Sequence, residues 1–155
     1  MARVCELVQL QTRPALTMRW QTTFDQLSQA FDETFSALMG YLRELGQHPA
    51  GPPFARYHKI EGQDVDVELG VPMGEPAPGR DRIAASELPG GDMATCLLVG
   101  PYDQLPSAYE ALMAWIQEQE LVIAGAPFEQ YLNNPSETTP DKYETRIYFP
   151  VTRGE

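Results

Sequence analysis

An acidic residue interrupts an apolar strand pattern in the last third of this sequence. Glu129 stands in the run Pro127-Phe128-Glu129-Gln130-Tyr131. Side chains alternate along a strand, so Glu129 and Tyr131 share one face and Phe128 and Gln130 the other. Burying a carboxylate is costly unless it has a partner or a task. We therefore predict Glu129 as the main functional residue; the alternative is an exposed strand residue paired with Lys or Arg.

Two kinds of chemistry suit such a carboxylate. Ringed by aromatic side chains, it would bind a lipophilic cation through charge neutralisation and cation–π attraction. Partly desolvated, its pKa would rise towards neutrality, which suits general acid–base catalysis. Tyr131 or Tyr148 would then donate a hydrogen bond to developing negative charge. Tyr148 would face the same site if its neighbours Ile147 and Phe149 face the helices.

Other catalytic constellations do not occur in the sequence. His48 and His58 are ten residues apart, which is not a metal-ligand spacing. No phosphate-cradling glycine loop and no nucleophile motif occurs. We predict no metal and no cofactor. His58 and Glu68 either border a ligand site or lie at a solvated edge.

The chain contains an internal repeat. Residues 24–31 match residues 102–109 at an offset of 78, and residues 51–57 match residues 125–131 at an offset of 74. A looser match pairs residues 66–72 with 144–150, again at 78. The offset decreases from 78 to 74 within the helical segment. The first helix is therefore predicted to be longer than the second by about one turn. Glu129 corresponds to Ala55, so the repeated fold does not itself require a carboxylate there.

In each half of the chain, the residue pattern predicts two strands, then a helix, then two further strands. The halves are a first repeat at 1–73, a linker at 74–80 and a second repeat at 81–155, together forming one domain. Asp25 and Asp103 occupy positions where helix N-caps are expected. The predicted fold is α+β: an eight-stranded antiparallel sheet, two helices on one face and a central concave pocket. Tyr57, the counterpart of Tyr131, and Trp20 are predicted to line that pocket, whereas Trp115, Tyr102 and Tyr109 are interpreted as core or helix-start residues.

Composition limits the function classes. The 155 residues include 11 Lys and Arg against 22 Asp and Glu, a net charge of −11. This excess of acid argues against direct nucleic-acid binding. No apolar run reaches the length of a membrane span, and no secretory leader is visible. With only two cysteines, we expect a cytoplasmic protein, monomeric or dimeric.

These motifs resemble the GyrI-like family. The resemblance rests on Gly100-Pro101-Tyr102-Asp103-Gln104-Leu105, on residues 127–131 and 143–151, and on the first-half segments 53–58 and 65–72. It implies a duplicated strand-helix-strand-strand fold with Glu129 at the floor of a ligand pocket. Family members occur as effector-binding domains of AraC-type and MerR-type multidrug regulators and as stand-alone domains, of which we expect this chain to be one. Others inhibit DNA gyrase or hydrolyse cyclopropane-bearing natural products.

Three hypotheses follow. The leading one is a binding domain for hydrophobic, cationic or aromatic small molecules, acting as a sensor or a sequestering protein. The second is a hydrolase that opens electrophilic natural products with Glu129 and Tyr131. The third is a protein-interaction module that inhibits DNA gyrase. The predicted ligand-binding residues are Glu129, Tyr131, Tyr148, Tyr57, Trp20 and Ala55.

Overall fold

The computed structural model describes residues 4–134 and 137–153. Within them the chain forms nine strands and two α-helices. The elements are β1 (Cys5–Leu10), β2 (Arg13–Thr23), α1 (Leu27–Leu45), β3 (Phe54–Glu61), β4 (Asp64–Pro72), β5 (Ala84–Leu88), β6 (Gly91–Val99), α2 (Leu105–Glu118), β7 (Leu121–Ile123), β8 (Phe128–Tyr131) and β9 (Glu144–Arg153). The predicted α+β fold of antiparallel strands with two helices is confirmed. Neither helix in these residues is long and apolar enough to cross a membrane.

The chain divides into two compact units. The central unit is Gln11–Pro89, and the terminal unit combines Met1–Leu10 with Gly90–Glu155. The first strand of each half therefore lies with the other half's strands: β1 pairs with β6, and β5 pairs with β2. The repeat boundaries at 1–73 and 81–155 stay a prediction, as does the central pocket.

The central unit is a four-stranded sheet in the order β3-β4-β2-β5, with α1 packed on one face. Alternation along β2 turns Leu16 and Met18 towards α1, which contributes Leu38 and Leu42 to the same core. The helix ends at Gly46, whose φ of 68° lies in the left-handed region that glycine adopts without strain. The predicted linker belongs to this unit, because Ala77 is buried in its core.

The terminal unit repeats this arrangement with the order β1-β6-β9-β8 and α2 on one face. Its core joins the apolar side chains of β6 and β9 to Ala108, Leu112 and Ile116 of α2. The short strand β7, which the sequence pattern does not predict, pairs with the end of β9. Helix α1 has 19 residues and α2 has 14, a difference of five where the repeat offset predicts four.

The prediction of two aspartate N-caps is wrong. Asp25 and Asp103 lie inside short 3₁₀ turns, Phe24–Gln26 and Tyr102–Gln104, that precede the helices. The N-cap positions belong to Gln26 and Gln104, and neither side chain caps its helix. The carboxylate of Asp25 instead accepts a hydrogen bond from the Thr23 hydroxyl at 2.5 Å. An aspartate near a helix start can therefore serve the turn before the helix as well as the helix itself.

Candidate functional site

Glu129 lies on the helix-facing side of the terminal sheet. It pairs with Ile147 of β9, whose side chain is part of the core under α2. Directly paired residues of an antiparallel ladder project from the same face. The Glu129 side chain therefore points towards α2, and the residue is only 2% exposed. The alternative of an exposed residue paired with Lys or Arg does not describe this side chain.

Two tyrosine hydroxyls hold the carboxylate. Tyr109 Oη, on α2, donates to Glu129 Oε2 at 2.6 Å. Tyr131 Oη, two residues along β8, donates to Oε1 at 2.7 Å. The Tyr109 ring is itself fixed by an edge contact with Phe149, at 5.7 Å between centroids. Each oxygen of the Glu129 carboxyl thus has one hydrogen bond, and the two donors come from different elements.

Burial and hydrogen bonding act on Glu129 in opposite directions. Desolvation raises the pKa of the carboxyl, and the hydrogen bonds from Tyr109 and Tyr131 lower it by a smaller amount. The net result is a pKa above the ordinary glutamate value. The raised pKa favours the protonated carboxyl, and a bound cation would favour the ionised form.

Aromatic rings continue from this carboxyl towards the surface. Tyr131 meets the edge of Tyr102 at 6.1 Å between centroids, and Tyr102 stacks on Tyr143 at 4.8 Å. Tyr102 is 37% exposed. Burial of the rest of its ring, with the nearby Tyr143 and Glu129, raises the pKa of its hydroxyl. Three tyrosines therefore connect solvent to the buried acid.

Tyr148, the other predicted site residue of the terminal unit, does not share the face of Glu129. Tyr148 is on the opposite face of the terminal sheet from Glu129, where it stacks on Phe128 at 4.8 Å. This follows from the pleat: Glu129 pairs with Ile147, so the neighbouring Tyr148 must project the other way. Glu129 and Tyr131 are brought together, and Tyr148 is separated from them by the sheet.

Ala55, Tyr57 and Trp20 belong to the central unit. Tyr57 and Trp20 both pair with Val67 of β4 and so share the face that packs on α1. Trp20 Nε1 donates to Thr34 Oγ1 of α1 at 2.8 Å. The guanidinium of Arg82 lies 4.0 Å above the Trp20 ring, which already gives this aromatic surface a cation.

A groove of about 430 Å³ runs along α1 in the central unit. Its lining includes Met18, Tyr41, Glu44, Arg80 and Arg82. It contains neither Glu129 nor Tyr131. The groove is therefore separate from the tyrosine-held carboxyl.

Sequence reasoning missed the contribution of Tyr109, which it assigned to the core. The repeat contains the signal that would have found it. Tyr109 corresponds to Phe31 at the offset of 78, just as Glu129 corresponds to Ala55 at 74. The acid and the hydroxyl are thus both present in the second half and both missing from the first, as expected for two groups that bond to each other.

The family's sequence model for the GyrI-like small molecule binding domain matches residues 4–152. This chain belongs to the GyrI-like family. By sequence, the GyrI-like domain matches no curated protein. Among solved structures it resembles the EcmrR C-terminal domain, with a TM-score of 0.84 and 20% identity over 99% of this chain and 100% of that one.

Longer and more distant structures share the fold of the GyrI-like domain. It spans 58% of the EcmrR chain in an EcmrR–DNA complex, with a TM-score of 0.85, 19% identity and 98% of this chain covered. A hydrolase from Listeria innocua has a TM-score of 0.68 at 14% identity, covering 96% of this chain and 91% of that one. SAV2435 bound to tetraphenylphosphonium has a TM-score of 0.62 at 16% identity, covering 98% and 94%. At these identities the similarities establish the fold alone.

Proposed function

We propose that this GyrI-like domain binds lipophilic cations at Glu129, as a sensor or a sequestering protein for such compounds. The observation that carries the proposal is a buried carboxyl whose hydrogen-bond partners are both tyrosine hydroxyls. No described Lys or Arg neutralises it, so a ligand cation would be its first full counter-charge. Tetraphenylphosphonium, bound by the structural neighbour SAV2435, is a ligand of this class.

The surrounding rings support the same ligand class. Tyr109, Tyr131 and Tyr102 present aromatic surface beside the acid. Their quadrupoles attract a cation, and their area favours an apolar one. A small hydrated ion would lose its water shell without comparable contact area, so a large organic cation fits better.

The bonding of Glu129 also limits how a ligand reaches it. The residue is nearly inaccessible, and both carboxylate oxygens are occupied by tyrosine hydroxyls. A cation in contact with the carboxylate must displace at least one of these hydroxyls. We therefore expect association to be slower than diffusion would allow, with a rate set by opening of the site.

Calorimetric titration with tetraphenylphosphonium tests the proposal. Wild type is compared with Glu129→Gln, which keeps size and hydrogen bonding but removes the charge. Glu110→Gln, which changes an exposed acid beside Tyr109 on α2, is the control for net charge. We expect Glu129→Gln to weaken binding at least tenfold and Glu110→Gln to leave it unchanged. Equal affinities for all three proteins would contradict the proposal.

A hydrolase is the second candidate, favoured by the raised pKa of Glu129 and the Tyr131 hydroxyl at 2.7 Å. Here Glu129 would take a proton from a water molecule while the oxygen of that water attacks a strained, electrophilic ring carbon. The ring C–C bond breaks and its electron pair moves to a conjugated carbonyl oxygen, which Tyr131 hydrogen-bonds and which then receives the proton that Glu129 took from the water. Turnover of an activated cyclopropane compound, abolished in Glu129→Gln while binding persists, would select this function over simple binding. The gyrase-inhibitor hypothesis stays a prediction, and no contact described above favours it.

A further inference from the structure

A second buried acid lies in the central unit. Glu68 stands in the middle of β4, between Val67 and Leu69, whose side chains are part of the buried core. By alternation Glu68 projects from the face opposite to α1, where it pairs with Arg56 on β3 and Arg19 on β2. The residue is 7% exposed. The solvated-edge interpretation of Glu68 is therefore wrong.

Three donors satisfy the Glu68 carboxylate. Thr17 Oγ1 and Ser86 Oγ donate to Oε2 at 2.7 and 2.5 Å, and His58 Nε2 lies 2.9 Å from Oε1. Burial acts to raise the pKa of Glu68, but these hydrogen bonds together bring it below the ordinary value. The carboxylate is therefore ionised at neutral pH, and its Oε1 accepts a hydrogen bond from the Nε2–H group of His58.

A break in the strand register places His58 beside Glu68. The β3–β4 ladder passes from the pair Tyr57–Val67 directly to Lys59–Asp66, which leaves His58 as the extra residue of a β-bulge. Bulges re-aim a side chain and are frequent beside functional sites. The His58 side chain is 23% exposed, and its Nδ1 has no partner within residues 4–134 and 137–153. The ring is thus fixed at one nitrogen and free at the other.

Arg56, on the same face, forms no ion pair within the part of the chain that the structure describes. Its Nε is buried and has no hydrogen-bond partner among the described residues. The other basic side chains nearby are matched: Arg19 binds Asp66 through two bonds of 2.5 and 2.9 Å, and Lys59 contacts Glu61 at 2.9 Å. Glu68, opposite Arg56 in register, uses both oxygens for other donors. An unpaired, partly buried guanidinium is a strong donor for an anion.

We propose that Arg56 and His58 form a second ligand site, which binds an oxyanion of the carboxylate or phosphate class. The Arg56 guanidinium donates N–H groups to the oxygens of the anion. The His58 ring lies beside the same site, and Glu68 holds it in place at Nε2. The site belongs to the central unit and does not depend on the function proposed for Glu129.

Nuclear magnetic resonance tests this site directly. The Arg56 Nε–Hε signal and the His58 ring signals are followed while sodium acetate or inorganic phosphate replaces chloride at constant ionic strength. We expect both residues to shift with the same saturable dependence on anion concentration. Arg56→Lys keeps the charge but loses the planar donor fork, and should weaken the binding followed at His58 at least about fivefold. Arg19→Lys is the matched control and should not change it.

Several outcomes would overturn the inference. Linear, unsaturated shifts would indicate screening only, and equal weakening by Arg56→Lys and Arg19→Lys would indicate a general charge effect. An Arg56 signal that never moves would indicate that the cluster only ties strands together. If a variant fails to fold, the titration of the wild-type protein alone still tests the proposed anion site. Glu129→Gln should leave the anion titration unchanged, so failure of the cation proposal and failure of this one are distinguishable.

Discussion

Tyr109 and Glu129 form a hydrogen bond of 2.6 Å between α2 and β8, and the corresponding positions in the other half of the chain contain Phe31 and Ala55. The two halves therefore differ at both ends of one bond. Phe31 and Ala55 show that the repeated fold forms without this pair, so the acid and its donor are additions to the scaffold. Phe31 and Ala55 therefore indicate which replacements to use when the contribution of the pair to stability is measured.

Replacing the pair by its counterparts should be non-additive. Glu129→Ala leaves the Tyr109 hydroxyl without its acceptor in a buried place, and adding Tyr109→Phe removes that orphaned group. We expect a coupling free energy of about 1–2 kcal/mol in a double-mutant cycle. Urea unfolding of the four proteins at neutral pH measures it. Tyr41→Phe, whose hydroxyl donates to Pro78 O, is the control and should be additive with Glu129→Ala. Full additivity of Tyr109→Phe would mean that the bond contributes nothing to stability.

The raised pKa of Glu129 predicts a pH-dependent cost in stability. The folded protein holds the Glu129 proton more tightly than the unfolded chain, in which glutamate has its usual pKa of 4.5. The contribution of Glu129 to the free energy of unfolding is therefore fully present below pH 4.5 and is lost as pH rises through the raised folded pKa. Compared with Glu129→Gln, wild type should lose stability as pH rises above 4.5 and through the raised folded pKa of Glu129. Thermal unfolding of both proteins across this range tests the trend, and a constant difference in Tm would refute it.

The fold could be predicted from the sequence because the internal repeat and the hydrophobic periodicity indicate the same helices and strands. Matching segments at offsets of 78 and 74 located both helices and the last strands of each half. The exchange of β1 and β5 between the units was not accessible, because apolar alternation specifies a face and not a neighbour. The strand β7 was missed for a related reason: with only three residues, Leu121–Ile123 shows no measurable period.

The site was accessible in part. Glu129 and Tyr131 follow from local alternation, since both lie on one short strand. The face on which Tyr148 lies depends on which residue of β9 is paired with Glu129. A register shift of one residue would move Tyr148 to the other face, and the sequence does not specify the register. The surroundings of Glu68 depend on Ser86, which is contributed by a strand of the other half. Such a contact cannot be read from spacing along the chain.

Cation binding at Glu129 should strengthen as pH rises. A cation favours the ionised carboxylate, so below the raised pKa of Glu129 binding must release a proton. The dissociation constant for tetraphenylphosphonium should therefore fall as pH rises through the raised pKa of Glu129 and reach a plateau above it, with a slope of up to about tenfold per pH unit at the acid end. Calorimetry in buffers of different ionisation enthalpy measures the released proton. Glu129→Gln should show a flat profile, and an equally steep profile in that variant would assign the effect to another group.

Two buried strand threonines should respond oppositely to the same change. Thr145, paired with Tyr131, has a buried hydroxyl without a partner among the described residues, whereas the Thr17 hydroxyl donates to Glu68 at 2.7 Å. Thr145→Val removes an unsatisfied polar group and should stabilise by up to about 1 kcal/mol. Thr17→Val removes a hydrogen bond to a charged group and should destabilise by about 1.5–3 kcal/mol. Denaturant unfolding measures both, and loss of stability in Thr145→Val would mean that its hydroxyl has a stabilising role.

Glu68 should show the pH dependence opposite to that of Glu129. Its pKa is lowered in the folded protein, so its contribution is present above the usual value of 4.5 and is lost as pH falls through the lower, folded value. Glu68→Gln should therefore destabilise the protein by about 1–3 kcal/mol at neutral pH, because Thr17, Ser86 and His58 lose a charged acceptor. This deficit should shrink in acid, since the wild-type carboxylate is then protonated. Urea unfolding of both proteins from about pH 7 down to about pH 3.5 tests it. A deficit that is independent of pH would show that packing, and not ionisation, accounts for the loss.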